Sequence, residues 1–259
     1  MSDTIIIVGH PIRNCIEVNF NGEQYLVKFD GFKKENHNED PFIWNEEFLY
    51  SFCHANVALS KKIVNKINDG ENVYFVFVAR KDNATQIMEI DTVIKADKII
   101  EWPKKGKRNL NIIKGKFISE LSNCEQEKFK SIKKNHFPKL SRGNLNEHNN
   151  KTLRTCIGDK KGSFLPMIKT NGVYQPYTFN EEDSDLILKL LKRGHKNAFY
   201  PIREELIDDK SNYRKLCKKI IDEVIGKEET EEFKKITGTK LQEVHDDLRP
   251  KKQRFRDIE

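Results

Sequence analysis

Val73-Tyr74-Phe75-Val76-Phe77-Val78-Ala79 is the stretch that decides the fold. This unbroken run of mostly β-branched and aromatic residues is too short for a helix and too apolar for an edge. It therefore predicts a central strand buried on both faces. Downstream, Gln86 to Trp102 continues with strand-like segments at Ile87–Val93 and Lys98–Trp102. Upstream, Asp40-Pro41 offers a cap followed by proline in a first turn. Leu49, Phe52, Cys53, Leu59, Ile63 and Ile67 then recur at helical spacing, which predicts helical structure, in one or two pieces, up to Asp69-Gly70.

Nearer the start, Thr4 to Val8 is β-branched, and the alternating segments Cys15–Phe20 and Gln24–Phe29 flank Asn21-Gly22-Glu23. Asn-Gly tolerates the positive φ of a type I′ turn, so these segments predict a hairpin. Ile16, Val18 and Phe20 would share one face, with Tyr25, Val27 and Phe29 on a face of the partner strand. With Thr4–Val8 the N-terminus reads as a small meander.

Beyond Trp102 the pattern changes. One helical stretch, about Glu125 to Lys134, sits among residues rich in Asn, Gly and Ser, which reads as long loops or an insertion. Thr155 to Lys169 is expected to return to the sheet. Glu181, Glu182 and Asp183 suit the first turn of a helix, and Leu186, Ile187, Leu190 and Leu191 supply its buried face. A further helix from about Ser211 to Ile225 places Tyr213, Leu216, Cys217, Ile220, Ile221 and Val224 on one stripe, with Gly226 as its stop. From Lys227 the apolar residues thin out, and Gly238–Glu259 reads as a weakly packed helix followed by a basic tail. The expected class is α+β: a mixed or partly closed β-sheet in the N-terminal half with helical cover, and a helical C-terminal part. The division drawn is a β-rich domain over 1–180, carrying a basic insertion at about 103–162, and a helical region over 181–259.

Lys and Arg number 47 against 40 Asp and Glu, a formal net charge of +7. Between Pro103 and Gly162 the ratio of basic to acidic residues is about three to one, so the excess is local and suits a phosphate-bearing partner. Arg108, Lys134, Lys139, Arg142, Arg154, Lys160 and Lys161 are the expected phosphate contacts. Trp102, His136 and Asn144 are the candidates for base or sugar contact. Gly158-Asp159-Lys160-Lys161-Gly162 is a turn in which two glycines beside two lysines would let backbone approach an anion. Clusters such as Trp44, Phe48 and Tyr50, or Tyr174, Tyr177, Phe179 and Tyr200, supply flat side chains for core packing or for stacking.

Asn135-His136-Phe137-Pro138, with Arg142-Gly143-Asn144 and His148-Asn149-Asn150, has the residue types of a small metal-dependent nuclease centre. There a histidine serves as base and Mg²⁺ or Mn²⁺ sits beside the scissile phosphate. The acidic residue preferred beside the first histidine is replaced by Asn135, and a solvated polar loop has the same letters. His10, His54 and His195 have no second ligand at metal spacing and read as satisfied or exposed histidines. HExxH, P-loop and GxGxxG motifs are missing, which disfavours zinc proteases, Walker-type NTPases and common dinucleotide folds. Five widely spaced cysteines without a CxxC pair read as reduced thiols. No apolar run approaches the ~20 residues of a membrane span, so a cytoplasmic protein is expected.

The passage Val73–Trp102, with Asp91-Thr92-Val93 inside it, and the later Thr155-Cys156-Ile157-Gly158-Asp159 resemble the nucleotide-modification-associated proteins of the PUA-like and EVE-like class. The resemblance implies a curved sheet or partial barrel that recognises modified or flipped bases, and it carries no catalytic residue over. The leading expectation is thus a nucleic-acid-binding protein without a cofactor. Its rivals are a metal-dependent nuclease of a defence system using His136 or His148, and an adaptor for an acidic protein partner, with a protein contact through the C-terminal helices.

Overall fold

A computed structural model describes residues 3–13, 15–28, 41–44, 46–50, 57–101, 111–112, 154–192, 201–202, 207, 210–241 and 243. The decisive stretch forms strand β6 (Asn72–Arg80), whose seven central residues are all buried. It lies between β1 (Asp3–Gly9), parallel to it, and β7 (Met88–Glu101), antiparallel to it. Both neighbours satisfy its backbone, so its side chains divide by the two-residue period of a strand. Val73, Phe75 and Phe77 enter one core, and Tyr74, Val76 and Val78 enter another on the opposite face. Each such side chain contributes about 1.5–3 kcal/mol of burial.

β2 (Cys15–Phe20) and β3 (Glu23–Lys28) form the expected antiparallel hairpin, with Ile16 opposite Val27 and Val18 opposite Tyr25, and Glu23 belongs to the second strand. Asn21 at φ 49° and Gly22 at φ 79° make the turn. The first strand is not part of a meander with them: β1 joins β6, whereas β3 joins β11 (Val173–Thr178) through the single ladder pair Tyr25–Tyr174. The region before the helix is also corrected. β4 (Phe42–Trp44) and β5 (Glu47–Tyr50) form a hairpin across Glu46 at φ 68°, and α1 (Val57–Asn68) begins only at Val57. Leu49 had matched the helical spacing, but its neighbours Phe48 and Tyr50 are aromatic, and the local β preference prevails. α1 packs Ile63, Val64 and Ile67 into the first core and ends at Gly70, which holds φ 83°.

The long strand β7 organises the rest. Its first half pairs with β6 on one edge and with β11 and β10 (Phe164–Thr170) on the other. Its second half pairs with β8 (Asn111–Ile112) and β9 (Arg154–Gly158). β9 pairs with β5, and β12 (Phe233–Thr237) pairs with β10. The result is a mixed sheet whose path runs β2-β3-β11-β10-β7-β9-β5-β4 and is open among the described residues. An α+β class is therefore shown, but the sheet is not confined to the N-terminal half, since β9 to β12 all come from later in the chain.

Helices α2 (Glu181–Lys192) and α3 (Lys210–Ile220) cover the second core. Asn180 Oδ1 accepts the amide of Asp183 at 2.8 Å and so caps α2, where three acidic residues complement the dipole. Tyr213, Leu216, Ile220 and Val224 form the buried stripe of α3 and its continuation. That continuation is a π-helical turn, Ile221–Ile225, closed by Gly226 N–H donating to Ile221 O at 2.7 Å. Ile187 and Leu191 pack with Met88 and Ile90, so the boundary drawn at 180 is crossed by one core. Apolar residues are sparse after Lys227, but Phe233, Ile236 and Leu241 are fully buried, so this part of the chain is anchored to the core. No helix among the described residues is long and apolar enough to cross a membrane.

Gly238 follows β12, and a Cβ there would overlap the Glu46 carbonyl of the β4–β5 turn. Backbone on both sides of this contact leaves little room to yield. Gly238→Ala is expected to cost about 1–3 kcal/mol through overpacking, read as a lowered urea midpoint with an unchanged slope.

Candidate functional site

Along β7 the residues facing the second core are Met88, Ile90 and Val93, whereas Ile94 faces the first. A strict alternation would leave one residue between Ile90 and its next same-facing neighbour, but there are two. The ladder shows why: Val78 opposes Ile90 and Phe77 opposes Thr92, so Asp91 is the extra residue of a β-bulge. Asp91 and Thr92 are both buried, in company with Glu89, His10, Arg13 and Lys28.

The sequence around Gly9 brings the cations to this place. β1 runs parallel to β6 as far as Gly9, and His10 N–H donates to Val78 O at 3.0 Å, which carries the chain to the level of the bulge. The imidazole Nε2 then lies 2.6 Å from Asp91 Oδ2, and Nδ1 lies 2.8 Å from Pro11 O. Arg13 Nη1 is 3.5 Å from the same Asp91 oxygen, and its Nη2 reaches Pro41 O at 3.5 Å. From the far end of the hairpin, Lys28 Nζ lies 2.5 Å from Glu89 Oε1 and also donates to the Lys81 carbonyl.

Two carboxylates two residues apart are thus treated differently. Burial alone would raise the Asp91 carboxyl. The charges of His10 and Arg13, with donors from His10 and Thr92, outweigh it and hold Asp91 below the usual carboxylate range. Burial also raises Glu89, where Lys28 opposes it and the Asp91 charge adds to it. Glu89 is pushed up to about 7.

This geometry limits the chemistry. Both ring nitrogens of His10 are engaged by oxygen atoms of the protein itself, Asp91 Oδ2 and Pro11 O, so the ring links the end of β1 to β7 and the cluster positions backbone segments. Among the described residues no group of three His, Cys, Asp or Glu is arranged to hold a metal.

Of the expected contacts, Trp102, Arg108, Lys134, Lys139, Arg142 and Asn144 lie outside the described residues, as do the nuclease candidates His136 and His148. Arg154 opens β9, paired with Glu101 at the end of β7. Lys160 pairs with Glu46 at 2.9 Å, both side chains about half exposed, which is worth about 0–1 kcal/mol. Lys161 is exposed. The amides of Lys161 and Gly162 both donate to Asp159 Oδ1, at 3.1 and 2.5 Å. The turn thus spends on its own carboxylate the backbone donors that an external anion would need. A Cβ at Gly162 would meet the Lys95 side chain, which would have to shift to admit it.

Among the described residues, Phe48, Tyr50, Tyr174 and Phe179 of the expected aromatic clusters serve packing. Tyr25 stacks on Tyr174 at 4.6 Å, and Tyr50 meets Phe75 and Phe77 edge-on at 5.1 Å. Tyr50, Tyr174 and Phe179 are all buried. Sequence reasoning overlooked Arg13, Lys28, Glu89 and Asp91 as a unit. The available signal was a pair of acidic residues inside Met88-Glu89-Ile90-Asp91-Thr92-Val93-Ile94, where buried carboxylates demand cations from elsewhere. No family model, no curated protein and no solved structure matches the chain.

Asp91→Asn leaves His10 and Arg13 buried without their counter-charge and is expected to cost about 3–5 kcal/mol at neutral pH. Because the folded-state carboxyl titrates below its unfolded value, this contribution is present above the ordinary aspartate range and disappears as pH falls through the lower folded value. Urea unfolding from pH 7 downward should show the variant's deficit shrinking as acid is added.

Proposed function

We propose that the protein binds nucleic acid through the basic residues inserted between β7 and β9. The observation that carries this reading joins topology to charge. Glu101 and Arg154 are ladder partners, Ile100 pairs with Thr155, and β8 pairs with the same two residues of β7, so residues 102–153 begin and end at one place and touch the sheet there through β8. Those residues contain thirteen Lys and Arg against four Asp and Glu, whereas the remainder of the chain contains 34 against 36. The whole positive excess is rooted at one end of one strand pair, and the rest of the protein is slightly acidic.

A polyanion gains from such an arrangement because each neutralised phosphate releases condensed counterions. An acidic body disfavours docking elsewhere on the surface, so the charges orient the partner as well as attract it. Within the insertion Arg108, Lys134, Lys139 and Arg142 serve as phosphate contacts, joined by Arg154 at its root. Trp102, which follows β7 directly, serves as the stacking residue, with His136 and Asn144 for base or sugar edges. Lys160, already paired with Glu46, is the weakest member of the set.

The partnered ends allow a clean test. Replacing residues 103–152 by Asn-Gly also removes the two-residue strand β8, and is expected to leave the rest of the sheet folded, because a two-residue loop suffices between the antiparallel strands β7 and β9. The intact protein should bind single- or double-stranded oligonucleotides with a log–log salt slope of several units, and the shortened one should bind at least a hundredfold more weakly. A salt-independent isotherm for the intact protein, or equal affinity for the two proteins, overturns the reading.

A further inference from the structure

The buried polar cluster does more than hold strands in place, because its two halves are unequally matched. Asp91 faces two cations, His10 and Arg13, on a segment continuous with β1. Glu89 has one cation at ion-pair distance, Lys28, whose ammonium it shares with the Lys81 carbonyl, and the Lys81 side chain adds only a weaker charge. The two carboxyls sit on the same strand and repel each other when both are ionised. Glu89 is 1% exposed, so no water offsets what the single ammonium leaves uncompensated.

Lys28 is also the last residue of a hairpin with few backbone ties to the rest. β2 and β3 share six ladder pairs with each other, but β3 joins β11 by only one among the described residues. Its docking therefore depends on side chains: Val18, Phe20, Tyr25 and Val27 in the first core, and Lys28 against Glu89. Opening the hairpin would carry Lys28 away and let water reach Glu89.

We propose that docking of the β2–β3 hairpin beside β11, which brings Lys28 to Glu89 of β7, is proton-linked, Glu89 taking up a proton as the hairpin docks and releasing it as the hairpin lifts. The groups facing Glu89 are Lys28 on β3, Lys81 after β6 and Asp91 on its own strand. Cys15, opposite Lys28 on β2, feels the charges of both Lys28 and Glu89. His10 and Arg13 hold Asp91 below the usual carboxylate range, and the Asp91 charge raises Glu89.

The sign follows from linkage. A carboxyl that holds its proton more tightly when the hairpin is docked than when it is solvated favours docking in acid, and the advantage is lost as pH rises toward the docked-state value. Between the ordinary glutamate value and about 7, docking takes up a proton, and above about 7 the linkage ends. The hairpin is thus tightest in mild acid and opens more readily at and above neutrality. This is opposite in sense to the Asp91 contribution, which only acid weakens.

Hydrogen exchange of the hairpin amides, corrected for intrinsic exchange rates, reads the opening equilibrium directly. From pH 5 to 7 the opening constant of wild type is expected to rise by up to about tenfold per pH unit and then level off. Glu89→Gln should keep it flat across the same range. A carboxyl-carbon NMR titration of glutamate-labelled wild type, which requires no variant, should show one resonance titrating near neutrality that Glu89→Gln removes. Opening constants with the same pH dependence in both proteins, or every glutamate titrating below pH 5, overturn the proposal. If Glu89→Gln does not fold, the wild-type titration decides alone.

Discussion

The ion pair between His10 and Asp91 is the constraint around which the molecule is arranged. A buried carboxylate is tolerated only where opposite charge and donors surround it, and here these come from the far end of a parallel strand. The bulge in β7 turns Asp91 toward them, and the same bulge shifts the side-chain alternation so that Ile90 and Val93 both serve the second core. One inserted residue thereby sets both the polar cluster and the division of apolar side chains between the two faces of β7.

The hairpin at Asn21-Gly22, the buried strand at Val73–Ala79 and the acidic start of the helix at Glu181 were legible because each is specified locally: by positive φ, by unbroken apolar character, or by the helix dipole. The partner of β1 was not legible. A β-branched run announces a strand and says nothing about which strand lies beside it, and the pairing of Thr4 with Val73 is settled by the cores on either side. Phe42 to Tyr50 misled because Leu49 happened to fit a helical period that its aromatic neighbours contradict. Asn171-Gly172 makes the same kind of turn as Asn21-Gly22, with φ 52° and 82°, and joins β10 to β11. That signal was present in the letters and went unused.

The polar cluster illustrates a deeper limit. His10, Arg13, Lys28, Glu89 and Asp91 are separated in sequence by up to 81 positions, and no spacing rule links them. Only the physical cost of burying Glu89 and Asp91 pointed to unnamed partners. The charge distribution was the reverse case. Its concentration in the middle of the chain was plain from composition, but the pairing of Glu101 with Arg154 was needed to show that this stretch is an excursion from the end of a strand pair.

The parallel alignment of β1 with β6, and of β3 with β11, also governs how the chain acquires its shape. Tyr25 must wait for Tyr174, and Leu165 for Ile236 from a strand near the far end, before the first core is complete. Such pairings require large loops to close before any contact rewards them, so collapse is intrinsically slow. During synthesis the aromatic strand β6 emerges after β1 and α1 but long before α2 and α3, and for that interval its second-core face is exposed to unwanted self-association.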